Sequence, residues 1–287
     1  KNLSKNIIIL GILVIIIGCN PKNETSKENE LPNIVLIVVD DQGYADFEAF
    51  DNHDPKVVNP HIAKLAHSGI TFTQAYTTAP VCSPSRVGML TGKNQFRWDK
   101  KASWGPGLPD KVKTMAEYLK EVGYTTARIG KNDLGRNFHK NDVREYPTQH
   151  GYDEFLGFSA HAHDYWLLSN EIESRTKDPK GTSAVLGPLM HNDSTKSYDE
   201  GYLTDILTDE AINYIKADKQ DPFFLTLSYN AVHHLIHEVP EKYLEIFLKK
   251  QIITIIYLWK NMVLFGKMKN NFFSKKSIGD NKACPRK

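Results

Sequence analysis

The stretch NIVLIVVDDQG, residues 33–43, decides the fold: six apolar residues in a row, Ile34 to Val39, end on two adjacent carboxylates, Asp40 and Asp41. A strand with one wet face alternates apolar with polar residues. One that is apolar at every position reads as covered on both faces, as in a parallel sheet flanked by helices. Working outward, Asn59 and Pro60 read as N-cap and first position of a helix that carries Ile62, Leu65 and Ala66 on one face and closes at Gly69. Thr71 to Tyr76 reads as a short strand, and a helix follows Ser83 with Pro84 in its first turn. A further helix runs from Thr114 to Gly123, a strand from Tyr124 to Ile129, and a helix from about Thr204 leads into a strand from Phe223 to Ser228. Strands alternating with helices predict an α/β fold with a central, mostly parallel sheet, whose ligands gather beyond the carboxyl ends of the strands.

Composition bounds the rest. A chain of 287 residues with 40% hydrophobic and 24% charged residues is neither disordered nor fibrous. Phe247 to Lys287 hold nine Lys, one Arg and one acid, a net +9 that leaves −7 for the remainder of a chain with formal charge +2. A mildly acidic body argues against a nucleic-acid partner. At the other end, Lys1 and Lys5 precede the apolar run Ile7 to Ile17 and then Gly18-Cys19, the pattern of a secretory signal too short for a comfortable membrane span. Residues 16–19 look like a bacterial lipobox, which makes Cys19 the expected lipid anchor to a membrane and places the chain in the bacterial cell envelope. The expected organisation is a signal peptide at 1–18, a polar tether at 19–32, a catalytic portion at 33–247 and an anomalous basic tail at 248–287. That tail is rich in Lys, Ile, Phe and Asn without an amphipathic period, the composition of an A/T-rich gene read out of frame, so a frameshift or truncation near residue 248 is expected.

The polar residues at the predicted strand ends form a short set. Asp40-Asp41 follow the first strand, Cys82 opens a helix with Arg86 one turn on, Gly130-Lys131 follow the strand ending at Ile129, and Asn230-Ala-Val-His233-His234 follow the strand at 223–228. Two adjacent carboxylates offer hard oxygens to a cation such as Ca2+, although a lone pair of Asp more often caps a turn. A cysteine at a helix N-terminus is expected to have a lowered thiol pKa. Arg86 supplies a planar fork for an oxyanion. A bridge between Cys82 and Cys284 is the plain alternative for the thiol.

The combination of residues 32–43, Cys82-Ser-Pro-Ser-Arg86, Leu90-Thr-Gly92, Ile129-Gly-Lys131 and Pro222-Phe-Phe224 to His233 resembles the type I, formylglycine-dependent sulfatase family of the alkaline-phosphatase-like superfold. The resemblance runs in order over about residues 31–245. It implies a sandwich with a mostly parallel sheet, and hydrolysis of sulfate esters, on a sulfated carbohydrate or small molecule. It also implies that a formylglycine-generating maturation enzyme oxidises Cys82 to an aldehyde. One hydroxyl of the aldehyde hydrate attacks sulfur, and the other later expels sulfate by regenerating the carbonyl. In that scheme Asp40, Asp41 and the position-82 side chain hold Ca2+, Arg86 orients the formylglycine, Lys131 bridges it to sulfate, and His233 protonates the leaving alkoxide.

Two departures stand out. The family usually carries a histidine one residue after Gly-Lys; here that place holds Asp133, which is expected to accept a proton from the hydrate or to cede the role to His139. The Asp-Asn pair and second lysine that complete the family's site are not found. His237, Trp98, Trp104, Tyr165 and Trp166 remain open as metal or sugar contacts. The alternatives are a phosphatase or phosphodiesterase of the same superfold, and a non-catalytic glycan-binding or degenerate lipoprotein.

Overall fold

A computed structural model describes residues 31–97, 108–109, 111–134, 143–144, 146–168, 186–233 and 239–248. Cys19 and Cys284, Trp98 and Trp104, His139, His234 and His237, the signal and almost all of the tether and basic tail lie outside the described residues. The described chain contains no helix long and apolar enough to cross a membrane.

The elements follow the expected alternation. They are β1 (Ile34–Val38), α1 (Pro60–Ser68), α2 (Cys82–Thr91), β2 (Leu108–Pro109), α3 (Met115–Glu121), β3 (Thr125–Lys131), β4 (Val143–Arg144), β5 (Glu154–Phe158), β6 (Met190–His191), β7 (Ser194–Thr195), α4 (Leu203–Lys216), β8 (Phe223–Ser228) and α5 (Glu241–Leu248). The main sheet has the order β1-β8-β3-β5-β6-β7. Its first four strands are parallel, and β6 and β7 continue it antiparallel. All four parallel carboxyl ends therefore open on one side.

Alternation along β8 sorts the two faces. Phe223, Leu225 and Leu227 point toward α4, where they meet Leu203, Leu207 and Ala211 together with Ala127, Ile129, Leu156 and Phe158 of β3 and β5. Phe224 points the other way, against Ala116 and Leu119 of α3 and the rings of Tyr124 and Tyr152. A helix is thus held on each face by its apolar stripe, the two-sided cover that a parallel sheet needs. Local capping agrees. Thr114 accepts from Glu117 N at 3.1 Å while the Glu117 carboxylate accepts from Thr114 N at 2.8 Å, so the first turn of α3 is closed reciprocally.

Two expectations are corrected. β1 is parallel as predicted but lies at the sheet edge, and only one of its faces is covered: Ile34 and Leu36 pack beside Phe224, whereas Val35 and Ile37 are 42% and 53% exposed. No described helix reaches across that face, because α4 lies over β3 and β8. Thr71 to Tyr76 forms no strand; its alternating side chains Phe72 and Tyr76 are 74% and 83% exposed, so the pattern buries no apolar surface that would hold the segment extended.

The sheet centre depends on a close approach that only glycine permits. A Cβ on Gly130, whose φ is +101°, would lie 2.0 Å from the Ser228 carbonyl oxygen, and one on Gly157 would lie 2.0 Å from the carbonyl oxygen of Gly130. Gly123, at φ +94°, has open space around its Cβ position. Gly123→Ala therefore meets backbone strain alone and is expected to cost about 1 kcal/mol, while Gly130→Ala adds a backbone collision and is expected to cost about 3 kcal/mol or more. Chemical denaturation of the two variants side by side checks this; equal losses would show that β3 and β8 can part freely.

Candidate functional site

Five loops at the carboxyl ends meet on one side of the sheet. β1 delivers Asp40 and Asp41, β3 delivers Lys131 and Asp133, β5 delivers His161, β8 delivers His233, and α2 presents Cys82 and Arg86 from its first two turns. Backbone hydrogen bonds tie the β1 and β8 exits together: Asp40 N donates to Ala231 O at 2.9 Å, and Val232 N donates to Asp40 O at 2.8 Å. Asp41 and Asp133 both adopt left-handed backbone conformations, with φ of 58° and 45°. Few residues other than glycine tolerate that region, aspartate among them, and such strain concentrates at functional sites.

A buried charge cluster forms the floor. Asp40 Oδ1 receives Arg86 Nη2 at 2.9 Å, and its Oδ2 receives Lys131 Nζ at 2.6 Å. Arg86 Nη1 also donates to Ser228 Oγ at 2.6 Å and to the Lys131 carbonyl at 3.2 Å. Lys131 is fully buried and lies 3.3 Å from Asp133 Oδ2 as well. Burial by itself would raise the Asp40 pKa, but the charges and hydrogen bonds of Arg86 and Lys131 win and hold it below its ordinary value of 3.8.

The wall above the floor is made of imidazoles. Asp133 Oδ2 lies 3.2 Å from His161 Nδ1. The His161 and His233 rings stand edge to face, 5.1 Å between centroids. His233 Nε2 lies 3.7 Å from Asp41 Oδ2, and the His233 carbonyl accepts from Tyr165 OH at 2.9 Å. Of the aromatic residues left open, Tyr165 is buried and serves this positioning role, whereas Trp166 is half exposed and tilts against Tyr202.

Cys82 is a free thiol at the first turn of α2. Its pKa is raised, not lowered as the helix N-terminus alone would dictate. Burial is the largest cause; the charge of Lys131 pulls the other way, and those of Asp40, Asp133 and Asp41 add to the rise. Ligand atoms of Asp40, Asp41 and Cys82 lie within 4.8 Å of one another, as do those of Cys82, His161 and His233. A cavity of about 960 Å3 opens here, lined by Asp40, Asp41, Gln42, Thr77, Cys82 and Arg86 among others. Gln42 Oε1, buried and without a hydrogen-bond partner, adds a hard oxygen to the same wall. Each Asp40 oxygen keeps a lone pair beyond its bond to Arg86 or Lys131. The donor set therefore fits one side of an oxygen-preferring divalent cation.

Every predicted site residue within the described chain is in this cluster: Asp40, Asp41, Cys82, Arg86, Lys131, Asp133 and His233. His161 is the one that sequence reasoning missed. Its signal was the run Glu154–Phe158, a β5 strand interrupted by Gly157 and followed by the polar Ser-Ala-His-Ala-His.

Removing the central carboxylate would take from the buried Arg86 the carboxylate it pairs with and leave Lys131 only its longer contact to Asp133. Asp40→Asn is expected to destabilise the chain by about 3–5 kcal/mol. The Asp40 contribution is present above the ordinary carboxylate pKa and is lost as pH falls through its lowered folded value. Denaturation measured against pH should therefore show a weaker acid transition below pH 3.8 in the variant than in the parent chain; identical profiles would show that Asp40 is not the ion-paired group.

Residues 32–254 match the Sulfatase family. Among curated relatives, the N-acetylgalactosamine-6-O-sulfatase of Bacteroides thetaiotaomicron is 37% identical, covering 81% of this chain and 55% of the relative. The arylsulfatase of Hemicentrotus pulcherrimus is 31% identical, covering 70% and 37%. Among solved structures, Ps i-CgsB in complex with k-i-k-neocarrahexaose is 31% identical with a TM-score of 0.60, covering 75% of this chain and 48% of that one. The chain thus spans between about a quarter and just over half of the length of its first curated relatives. The α/β sandwich is of the alkaline-phosphatase-like type, and with the family match covering most of its length, this chain belongs to the sulfatase family.

Proposed function

We propose that this chain carries the nucleophile-bearing part of a sulfuric ester hydrolase that acts on a sulfated carbohydrate, with Cys82 as the precursor of a formylglycine. The observation that carries the reading is the meeting of Cys82 with Asp40, Arg86, Lys131 and His233 at the carboxyl ends of parallel strands that are far apart in sequence. The carbohydrate class is supported by the relatives, one named for 6-O-sulfated N-acetylgalactosamine and one solved with a neocarrahexaose.

Calcium, held by Asp40, Asp41 and the position-82 side chain with Gln42 at hand, would supply positive charge to the sulfate oxygens. The protein's own residues do the rest. Arg86, locked by Ser228 and Asp40, fixes the first turn of α2 and hence the direction of the position-82 side chain. Lys131 is held at the floor by Asp40 and Asp133, so its ammonium adds fixed positive charge beneath the cleft. His233, fixed through its backbone by Tyr165, is the acid for the departing alkoxide, because leaving as a neutral alcohol requires a proton on the ester oxygen. Asp133 does not replace the family's histidine alone. With His161 it forms a carboxylate–imidazole pair, so an imidazole reaches the cleft from β5 in place of the β3 loop. The lipid anchor at Cys19, the envelope location and the division of the chain at residues 18, 32 and 247 belong to this proposal.

Co-expression with a formylglycine-generating enzyme, followed by peptide mass spectrometry, is expected to show thiol-to-aldehyde conversion at Cys82; an unmodified thiol under conditions that convert a known sulfatase would overturn the reading. In the complete enzyme, Cys82→Ala is expected to lower sulfate release from an aryl sulfate by at least about 10^4-fold, the scale on which loss of a covalent nucleophile acts. Release of phosphate from the matching aryl phosphate, with no sulfate release, would favour the phosphatase alternative.

A further inference from the structure

Cys82, His161 and His233 meet in a way that the sulfatase reading does not use. Each offers one ligand atom within 4.8 Å of the other two. A tetrahedral centre with Zn–S of about 2.3 Å and Zn–N of about 2.0 Å has ligand–ligand edges of roughly 3.5 Å, so closure requires about 1 Å of side-chain movement. The two imidazoles come from the loops after β5 and β8 and stand edge to face, 5.1 Å between centroids and 81° between planes. Asp133 accepts from His161 Nδ1, the carboxylate–histidine arrangement found behind metal-bound imidazoles. Asp41, 3.7 Å from His233 Nε2, is placed to close the fourth position, or a water can.

We propose that, while Cys82 remains an unoxidised thiol, the chain holds one zinc-class divalent cation between Cys82 Sγ, His161 and His233, with Asp133 as the carboxylate behind His161. Binding displaces the thiol proton to solvent and forms the metal–sulfur bond, so no oxidant or reductant takes part. Thiolate and imidazole select zinc, cobalt(II) or copper over calcium, whereas the carboxylates of the same cleft select the opposite class. The chemical state of one side chain then determines which metal class the cleft prefers. The inference concerns the thiol form and stands whether or not the matured chain hydrolyses sulfate esters.

Cobalt(II) is the direct probe, applied to the full chain with Cys19→Ser and Cys284→Ser so that Cys82 is the only thiol. One equivalent is expected to produce a near-ultraviolet sulfur-to-cobalt charge-transfer band with the intense visible absorption of a tetrahedral centre, displaced by zinc and not by calcium. Cys82→Ser should abolish the band. His161→Ala and His233→Ala should each weaken binding at least tenfold, and Asp133→Asn by about 10–100-fold. His161→Asn and His233→Asn repeat the measurement if an alanine variant loses its far-ultraviolet circular dichroism. Zinc should also slow alkylation of Cys82 by iodoacetamide. A folded parent chain without the charge-transfer band, or a band unaltered by loss of either histidine, or an alkylation rate indifferent to zinc, would overturn the proposal.

Discussion

The carboxylate of Asp40, held between Arg86 and Lys131, is the constraint on which the rest depends. Charges removed from water are costly unless paired and hydrogen-bonded, and here all three side chains are nearly or fully excluded from solvent. The cluster persists because its members come from three different elements that must all be in place: the exit of β1, the second turn of α2 and the exit of β3. Arg86 adds a fourth through Ser228 at the end of β8. Site and fold are therefore one structure. A shift of α2 that moved Cys82 would also strip Arg86 from Asp40, so the position of the thiol is specified by an ion pair rather than by its own contacts.

That same cluster explains why a thiol at this place is chemically quiet. Helix N-termini lower thiol pKa values by offering unpaired N–H groups, but the effect is short in range and is opposed here by burial and by three nearby carboxylates. A protonated thiol is a weak nucleophile. The two readings of the cleft, an oxidised side chain at position 82 or a cation on its sulfur, each rest on the meeting of Cys82 with its carboxylate and imidazole neighbours.

The sheet core was legible because its signals are local. The run Phe223–Ser228, apolar at four of six positions, became β8 residue for residue, and the helix expected from Thr114 is α3 with Thr114 as its N-cap. What failed was what depends on neighbours. The uniform hydrophobicity of 34–39 could not say that β1 would lie at an edge, since covering its second face is a property of other elements. Residues 71–76 have strand-like chemistry, but Phe72 and Tyr76 remain exposed and bury nothing by pairing. The site was legible to the extent that its residues fall in dense motifs. His161 does not: it follows a short strand broken by Gly157, whose glycine is demanded by the Gly130 carbonyl and so reads locally as a loop. Only the parallel pairing of β5 with β3 reveals that their exits deliver Asp133 and His161 to one point.

Charge supplies the last step. Asp40, Asp41 and Asp133 against Arg86 and Lys131 leave the cleft at −1 before any charge on the imidazoles is counted, and a sulfate ester is itself an anion. The cleft as it stands would repel such a substrate, the more strongly because it is partly removed from water. One divalent cation reverses the sign to +1. A histidine in the place of Asp133 would have reached neutrality without the cation and a higher positive charge with it. The substitution of Asp133 therefore makes productive binding of an anion more dependent on the metal. Asp133 also brings a second imidazole to the cleft, since its carboxylate holds His161 from the loop after β5 at 3.2 Å.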